Sequence, residues 1–262
     1  MHQSLDVDGI GTVDLTFTES GKGQPVVVLH GGAGPMSVTP WGELLARMKP
    51  ARVVMPTHPG FMATPRPDSL KDVRGLARVY AALIRELKLE NATIIGNSIG
   101  GWIAAELALL APTLVHKLVL VNATGIEVPD HPVADVFSLS MAELSQLSYH
   151  NPQRFRIDPS KFTPEQTAML ATNRAALKVY GGGGVDTGLR ARLRTLTQPV
   201  LVVWGEADRI VDSDYGRAYA QAMPNARFQL LSGAGHVPQI ETPELLVETL
   251  WPFIAEPHPA RG

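Results

Sequence analysis

Ser98 stands in Gly96-Asn97-Ser98-Ile99-Gly100, between the apolar run ending at Ile95 and a helical pattern carrying Trp102, Ile103, Ala104, Ala105 and Leu107. A serine in G-x-S-x-G at such a strand-to-helix turn is held in a strained backbone conformation. Its hydroxyl then projects from the carboxyl end of the strand. Small residues at Gly96 and Gly100 are a steric need, because strand and helix cross there too closely for a Cβ. The helix N-terminus beneath favours negative charge developing beside the serine. A serine hydroxyl is a weak nucleophile at neutral pH, so it requires an adjacent base, and the base requires an orienting acid. Asp208, in Trp204-Gly205-Glu206-Ala207-Asp208, and His236, in Ser232-Gly233-Ala234-Gly235-His236, each follow a strand-like run. Active sites of open α/β sheets gather at such strand ends. The order Ser, Asp, His is that of the nucleophile-elbow architecture. Asp212 is the alternative acid, one turn further on. His30 and His58 also end strand-like runs but come early in the chain. His116 opens a strand, and His131 and His150 fall in a helical block.

These residues need a sheet to hold them. Alternation in residues 3–19, as in Val13-Asp14-Leu15-Thr16-Phe17, predicts antiparallel edge strands. Pro25–Leu29, Arg52–Met55, Ala92–Ile95, Lys117–Val121, Val200–Trp204 and Arg227–Leu231 read as further strands, several with the continuous β-branched runs of strands buried on both faces. Helical patterns fall between them at Thr39–Met48, from Asp68 or Ser69 as cap to Leu87, from Ile99, at Ser213–Ala222 and at Pro243–Ile254. Such alternation predicts a mostly parallel α/β sheet with helices on both faces. From Val128 to Leu196 the patterns are helical only, at Met141–Tyr149, Pro164–Tyr180 and Gly188–Leu196, with Gly181-Gly182-Gly183-Gly184 as a possible hinge. The expected organisation is a core of 1–127 and 197–262 with a helical cap (lid) insertion over 128–196.

The net charge of −2 raises no field for nucleic acid or a membrane surface. The absence of cysteine removes disulfides, a thiol nucleophile and thiolate metal sites. Met1–Asp6 lacks a basic region followed by an apolar core, and Glu106 interrupts the longest apolar stretch, so a cytoplasmic protein is the expectation. No histidine pair has metal-ligand spacing on a helix, and Gly31, Gly32 and Gly34 lack dinucleotide-binding spacing. No metal and no cofactor are expected, and the oligomeric state is left open.

His30-Gly31-Gly32, the Gly96–Gly100 turn, Gly205-x-x-Asp208 and Gly235-His236, in that order and each at a strand end, resemble the α/β-hydrolase-fold serine hydrolases over nearly the whole chain. The resemblance implies Ser98 as nucleophile, His236 as general base and then acid, and Asp208 as the orienting carboxylate. It also implies an oxyanion hole from the backbone N–H groups of Gly32 and Ile99. The expected activity is hydrolysis of a carboxylic ester of a small or medium, mostly apolar molecule, with Asn97, Phe137, Met141, Arg174 and Val237 as substrate contacts. The nearest subfamily resemblance, carried by His30–Pro35 and Gly96-Asn97-Ser98, is to hydrolases that cleave C–C bonds in ring-fission (meta-cleavage) products. Two departures stand out. Val237 follows the histidine where those enzymes tend to carry an aromatic residue, and Arg174 is the candidate for their substrate-binding arginine. A ligand sensor that keeps the triad is the alternative from another class.

Overall fold

The computed structural model describes residues 1–155, 159–182 and 184–257. Strands β1 (His2–Val7) and β2 (Gly11–Gly21) pair antiparallel, with His2 opposite Thr16 and Val7 opposite Gly11. The chain then alternates through β3 (Gln24–Leu29), α1 (Thr39–Met48), β4 (Ala51–Pro56), α2 (Val73–Glu86), β5 (Ala92–Asn97), α3 (Ile99–Leu110) and β6 (Val115–Val121). Between β6 and β7 (Val200–Gly205) lie α4 (Met141–Ser148), α5 (Pro164–Gly181) and the short α6 (Leu189–Arg192). The chain closes with α7 (Ser213–Gln221), β8 (Ala226–Leu231), α8 (Pro238–Glu241) and α9 (Pro243–Ala255). Among the described residues the strands form one eight-stranded sheet in the order β1-β2-β4-β3-β5-β6-β7-β8. β2 runs antiparallel to β4, and every pair from β4 to β8 is parallel. This is the mostly parallel sheet with helices on both faces that strand–helix alternation predicts, in the arrangement of the α/β-hydrolase fold that the resemblance implies.

Alternation along the strands divides the core. Val27 and Leu29 face a layer with α2, α3 and α7, whereas Val26 and Val28 face α1 and α9. Both faces are covered, so the central strands carry continuous apolar runs such as Val26–Leu29, Ile94–Ile95 and Leu118–Val121. Burying each large apolar side chain contributes about 1.5–3 kcal/mol, which anchors the strand ends where the polar residues gather.

Two local expectations shift. The cap of α2 is Asp72, whose Oδ1 accepts from Gly75 N at 2.7 Å. Ser69 instead donates its hydroxyl to the Ile10 carbonyl, tying the approach to the β1–β2 turn. The pattern at Gly188–Leu196 divides into α6 and a 3-10 turn over Leu193–Thr195. Helix α8 was not foreseen.

The β6–β7 segment lies across the carboxyl ends of the strands. Gly125 bridges to Val185 at its base, where Asp186 N donates to Gly125 O at 2.7 Å. Tyr180, on α5, is 4% exposed and donates its hydroxyl to the Pro59 carbonyl at 2.7 Å. Asn173 Oδ1 accepts from Met62 N at 2.7 Å, in a turn where Met62 and Ala63 have φ values of 53° and 57°. Glu106, buried on α3, pairs with Arg74 and Arg192, which both also reach Asp186. In the glycine run, Gly182 continues the helix at φ −57° and Gly181 packs on Ile99, where an added Cβ would lie 2.7 Å from Ile99 Cδ1. Close packing therefore accounts for Gly181, and Gly183 lies outside the described residues.

Candidate active site

The elbow is built by close backbone approach. A Cβ on Gly96 would sit 2.1 Å from Gly100 O, and one on Gly100 would sit 2.2 Å from Leu29 O. Only glycine fits at both, so β3, β5 and α3 converge beneath Ser98. Ser98 itself has φ 56° and ψ −124°, a conformation that costs on the order of 1–3 kcal/mol and persists only where the surroundings enforce it. The enforcement is visible. Ser98 N donates to Val121 O at 3.0 Å, and Ser98 O accepts from Gly101 N and Thr124 N.

Asp208 leaves the end of β7 and is 3% exposed. Its Oδ1 accepts from Ile210 N at 2.8 Å and Val211 N at 3.1 Å. Its Oδ2 accepts from Asn122 Nδ2 at 2.7 Å and lies 2.8 Å from His236 Nδ1. A buried carboxylate with this set of donors is satisfied as the anion. Because the carboxylate only accepts, the proton of a neutral His236 sits on Nδ1, leaving Nε2 free to take one. Asp212, the alternative acid, lies elsewhere. It caps α7 through Asp214 N and Tyr215 N and pairs with His131 at 2.7 Å.

Asn97 links the elbow to the histidine loop. Its Nδ2 donates to His236 O at 3.0 Å and Val121 O at 3.2 Å, and its Oδ1 accepts from Gln239 at 3.1 Å. The side chain is buried, and its amide ties the elbow to the histidine loop, to β6 and to α8. Val237 is the buried residue before α8. Phe137 and Met141 are half-buried in the β6–β7 segment, Met141 at the first turn of α4. Arg174 donates to the Phe137 carbonyl and stands over the Phe137 ring, 5.5 Å from its centroid. That engagement uses one terminal nitrogen of the guanidinium expected for a substrate carboxylate.

Gly31 and Gly32 form the other wall. A Cβ on Gly31 would approach Ser98 Cβ to 3.1 Å, and one on Gly32 would meet Leu177 of α5 at 2.6 Å. Among the described residues, neither Gly32 N–H nor Ile99 N–H donates to a protein acceptor. Behind this wall lies a buried histidine pair with ring centroids 3.6 Å apart. His30 Nε2 accepts from His58 N at 3.0 Å, so Nδ1 carries the proton and donates to Gly31 O at 2.8 Å. His58 Nε2 donates to His30 O at 2.8 Å, so Nδ1 accepts from the Tyr80 hydroxyl. Both rings are thus neutral with defined tautomers. Burial pushes His58 down to about 4. Burial, with repulsion from His58, pushes His30 well below the ordinary histidine range. Burial likewise raises the Tyr80 hydroxyl, with Tyr180 adding to it.

Asn122, Leu177 and Glu241 were not singled out from sequence. Asn122 follows β6 with a left-handed φ of 49°, a conformation that asparagine tolerates. An asparagine just past a buried strand was the available signal. Among the described residues no group of three or more His, Asp or Glu is placed to hold a metal ion. No helix of the described residues is long and apolar enough to cross a membrane.

The architecture and site define a class: an open, mostly parallel sheet with a strained serine turn, and with an Asp–His pair at neighbouring strand ends. Residues 26–249 match the model of the alpha/beta hydrolase family, and the chain belongs to that family. It is 27% identical to a 2-hydroxy-6-oxo-6-phenylhexa-2,4-dienoate hydrolase of Burkholderia cepacia, covering 96% of this chain and 95% of that one. It is 29% identical to a pimeloyl-[acyl-carrier protein] methyl ester esterase of Photobacterium profundum, covering 93% of this chain and 99% of that one. Its fold is similar to that of a thermophilic esterase from Thermogutta terrifontis, with TM-score 0.79, 21% identity, and coverage of 97% and 98%.

Proposed function

We propose that this hydrolase-family chain cleaves a carboxylic ester of a small or medium, mostly apolar molecule through an acyl-enzyme on Ser98. The observation that carries the reading is the buried His236–Asp208 pair, 2.8 Å apart, whose loop is tied to the strained serine elbow through Asn97. His236 Nε2 takes the Ser98 proton as the hydroxyl attacks the ester carbonyl, and Asp208 stabilises the resulting imidazolium. The N–H groups of Gly32 and Ile99 receive the oxyanion, each worth a few kcal/mol or on the order of 10²–10³ in rate. His236 then protonates the leaving alcohol, and water, activated in the same way, releases the acid.

In this reading residues 128–196 are a cap, with Leu177 over Gly32 and with Phe137 and Met141 lining the apolar approach. The substrate is a free small molecule, and no cofactor takes part. C–C hydrolysis of a ring-fission product is the second reading, favoured by relatives such as the dienoate hydrolase of B. cepacia. Arg174, engaged by the carbonyl and ring of Phe137, weighs against it.

The test is turnover of p-nitrophenyl esters of graded acyl length beside a ring-fission dienoate. Ester hydrolysis that Ser98→Ala abolishes is the expected result. Cleavage of the dienoate with no ester turnover would replace the first reading with the second.

A further inference from the structure

The carboxylate of Glu241, at the end of α8, accepts three backbone N–H groups from two separate parts of the chain. Oε2 takes Gly235 N at 2.6 Å, the residue immediately before His236. Oε1 takes His150 N at 2.9 Å and Asn151 N at 3.2 Å, just beyond α4 in the β6–β7 segment. The same junction is closed by His236 N donating to Ser148 O at 2.6 Å and by Arg209 N donating to Leu147 O at 3.0 Å. The C-terminal carbonyls of α4 are thus capped by the backbone of His236 and of the residue after Asp208. A Cβ on Gly235 would lie 2.3 Å from Ser148 O, so the two segments touch with no side chain between them.

We propose that Glu241 is a positioning residue for His236: it locks the histidine loop to the α4 end of the β6–β7 segment, so that seating of that segment and alignment of the imidazole are one event. This rests on the reading of His236 as general base. A carboxylate suits the junction because both of its oxygens accept and all three facing groups donate. An amide has only one accepting oxygen, and its NH₂ would face an N–H on the other side. Glu241→Gln therefore keeps the size of the side chain but releases either Gly235 or the 150–151 turn. A misplaced base of this kind lowers the chemical step and leaves ground-state binding alone.

The experiment compares Glu241→Gln, Glu241→Asp and His236→Ala in the full chain, with a p-nitrophenyl ester as substrate. Steady-state kinetics, melting temperature and the downfield proton resonance of His236 Nδ1–H are recorded. Expected is a fall in kcat of about 10- to 100-fold for Glu241→Gln with KM within about threefold, and a displaced or broadened Nδ1–H resonance. Glu241→Asp, which keeps the charge but shortens the reach, should show the same signature and stands in if the glutamine variant does not fold. A lowered melting temperature with unchanged kcat and an unmoved resonance would overturn the proposal and leave Glu241 as a structural contact. Activity retained by His236→Ala would instead overturn the reading of His236 as base, so the two failures are distinguishable.

Discussion

Acid should loosen the wall behind Gly31 and Gly32 before it reaches most carboxylates, and His58 sets the magnitude. In the unfolded chain His58 titrates near 6.5, and burial holds it at about 4 in the folded protein. A histidine lowered on folding binds its proton more readily in the unfolded state. Its contribution is therefore fully present above pH 6.5 and is lost as pH falls from there towards 4. From pH 7 to pH 5 the two values give a loss of about 2 kcal/mol, a large share of a total stability of roughly 5–15 kcal/mol. His30, pushed below its ordinary range for the same reason, adds a loss of the same sign. His131 has the opposite sense, because Asp212 raises it, but it lies outside this cluster. His58→Gln isolates the term: the amide nitrogen can still donate to the His30 carbonyl, and nothing titrates. Urea unfolding between pH 7 and pH 5 should show the variant losing about 2 kcal/mol less than the parent, whatever its stability at pH 7. Parallel curves for the two proteins, or a His58 ring resonance titrating near 6.5, would refute the neutral, tautomer-locked pair.

Asp208→Asn should lower kcat by about 10⁴ at neutral pH with KM little changed, because the amide presents the wrong partner to His236 Nδ1. Asp212→Asn, which touches the α7 cap and His131, should cost little activity; steady-state ester kinetics on both variants assign the acid. Gly100→Ala would place a Cβ 2.2 Å from the backbone oxygen of Leu29, which cannot swing away. It should exceed the roughly 1–3 kcal/mol of ordinary overpacking. Gly233→Ala meets no atom within 4 Å and carries only the strain of φ +72°, so it should melt well above Gly100→Ala in a thermal scan.

The parts of the fold legible in the sequence were those with a local signature. Continuous apolar runs such as Val26–Leu29 mark strands covered on both faces, and the Gly96–Gly100 spacing marks a turn whose glycines meet backbone at 2.1 and 2.2 Å. Cap choice was less legible, because Asp68, Ser69 and Asp72 all precede the helix and only tertiary contact selects among them. Asn122 lies 86 residues from Asp208, and Glu241, though only six residues from Gly235, lies 91 from His150, the group that makes it a junction. No pattern within a window reports such a contact. Arg174 was legible as a cation and illegible as a partner of Phe137, 37 residues away on another element.

The central claim is that Ser98 is the nucleophile. Incubation with a fluorophosphonate, followed by peptide mass spectrometry, tests it most directly. One adduct, on Ser98, formed in step with loss of ester hydrolysis and absent from His236→Ala, is the predicted result. An adduct on Ser37 or Ser232, or full inactivation with Ser98 unmodified, would contradict it.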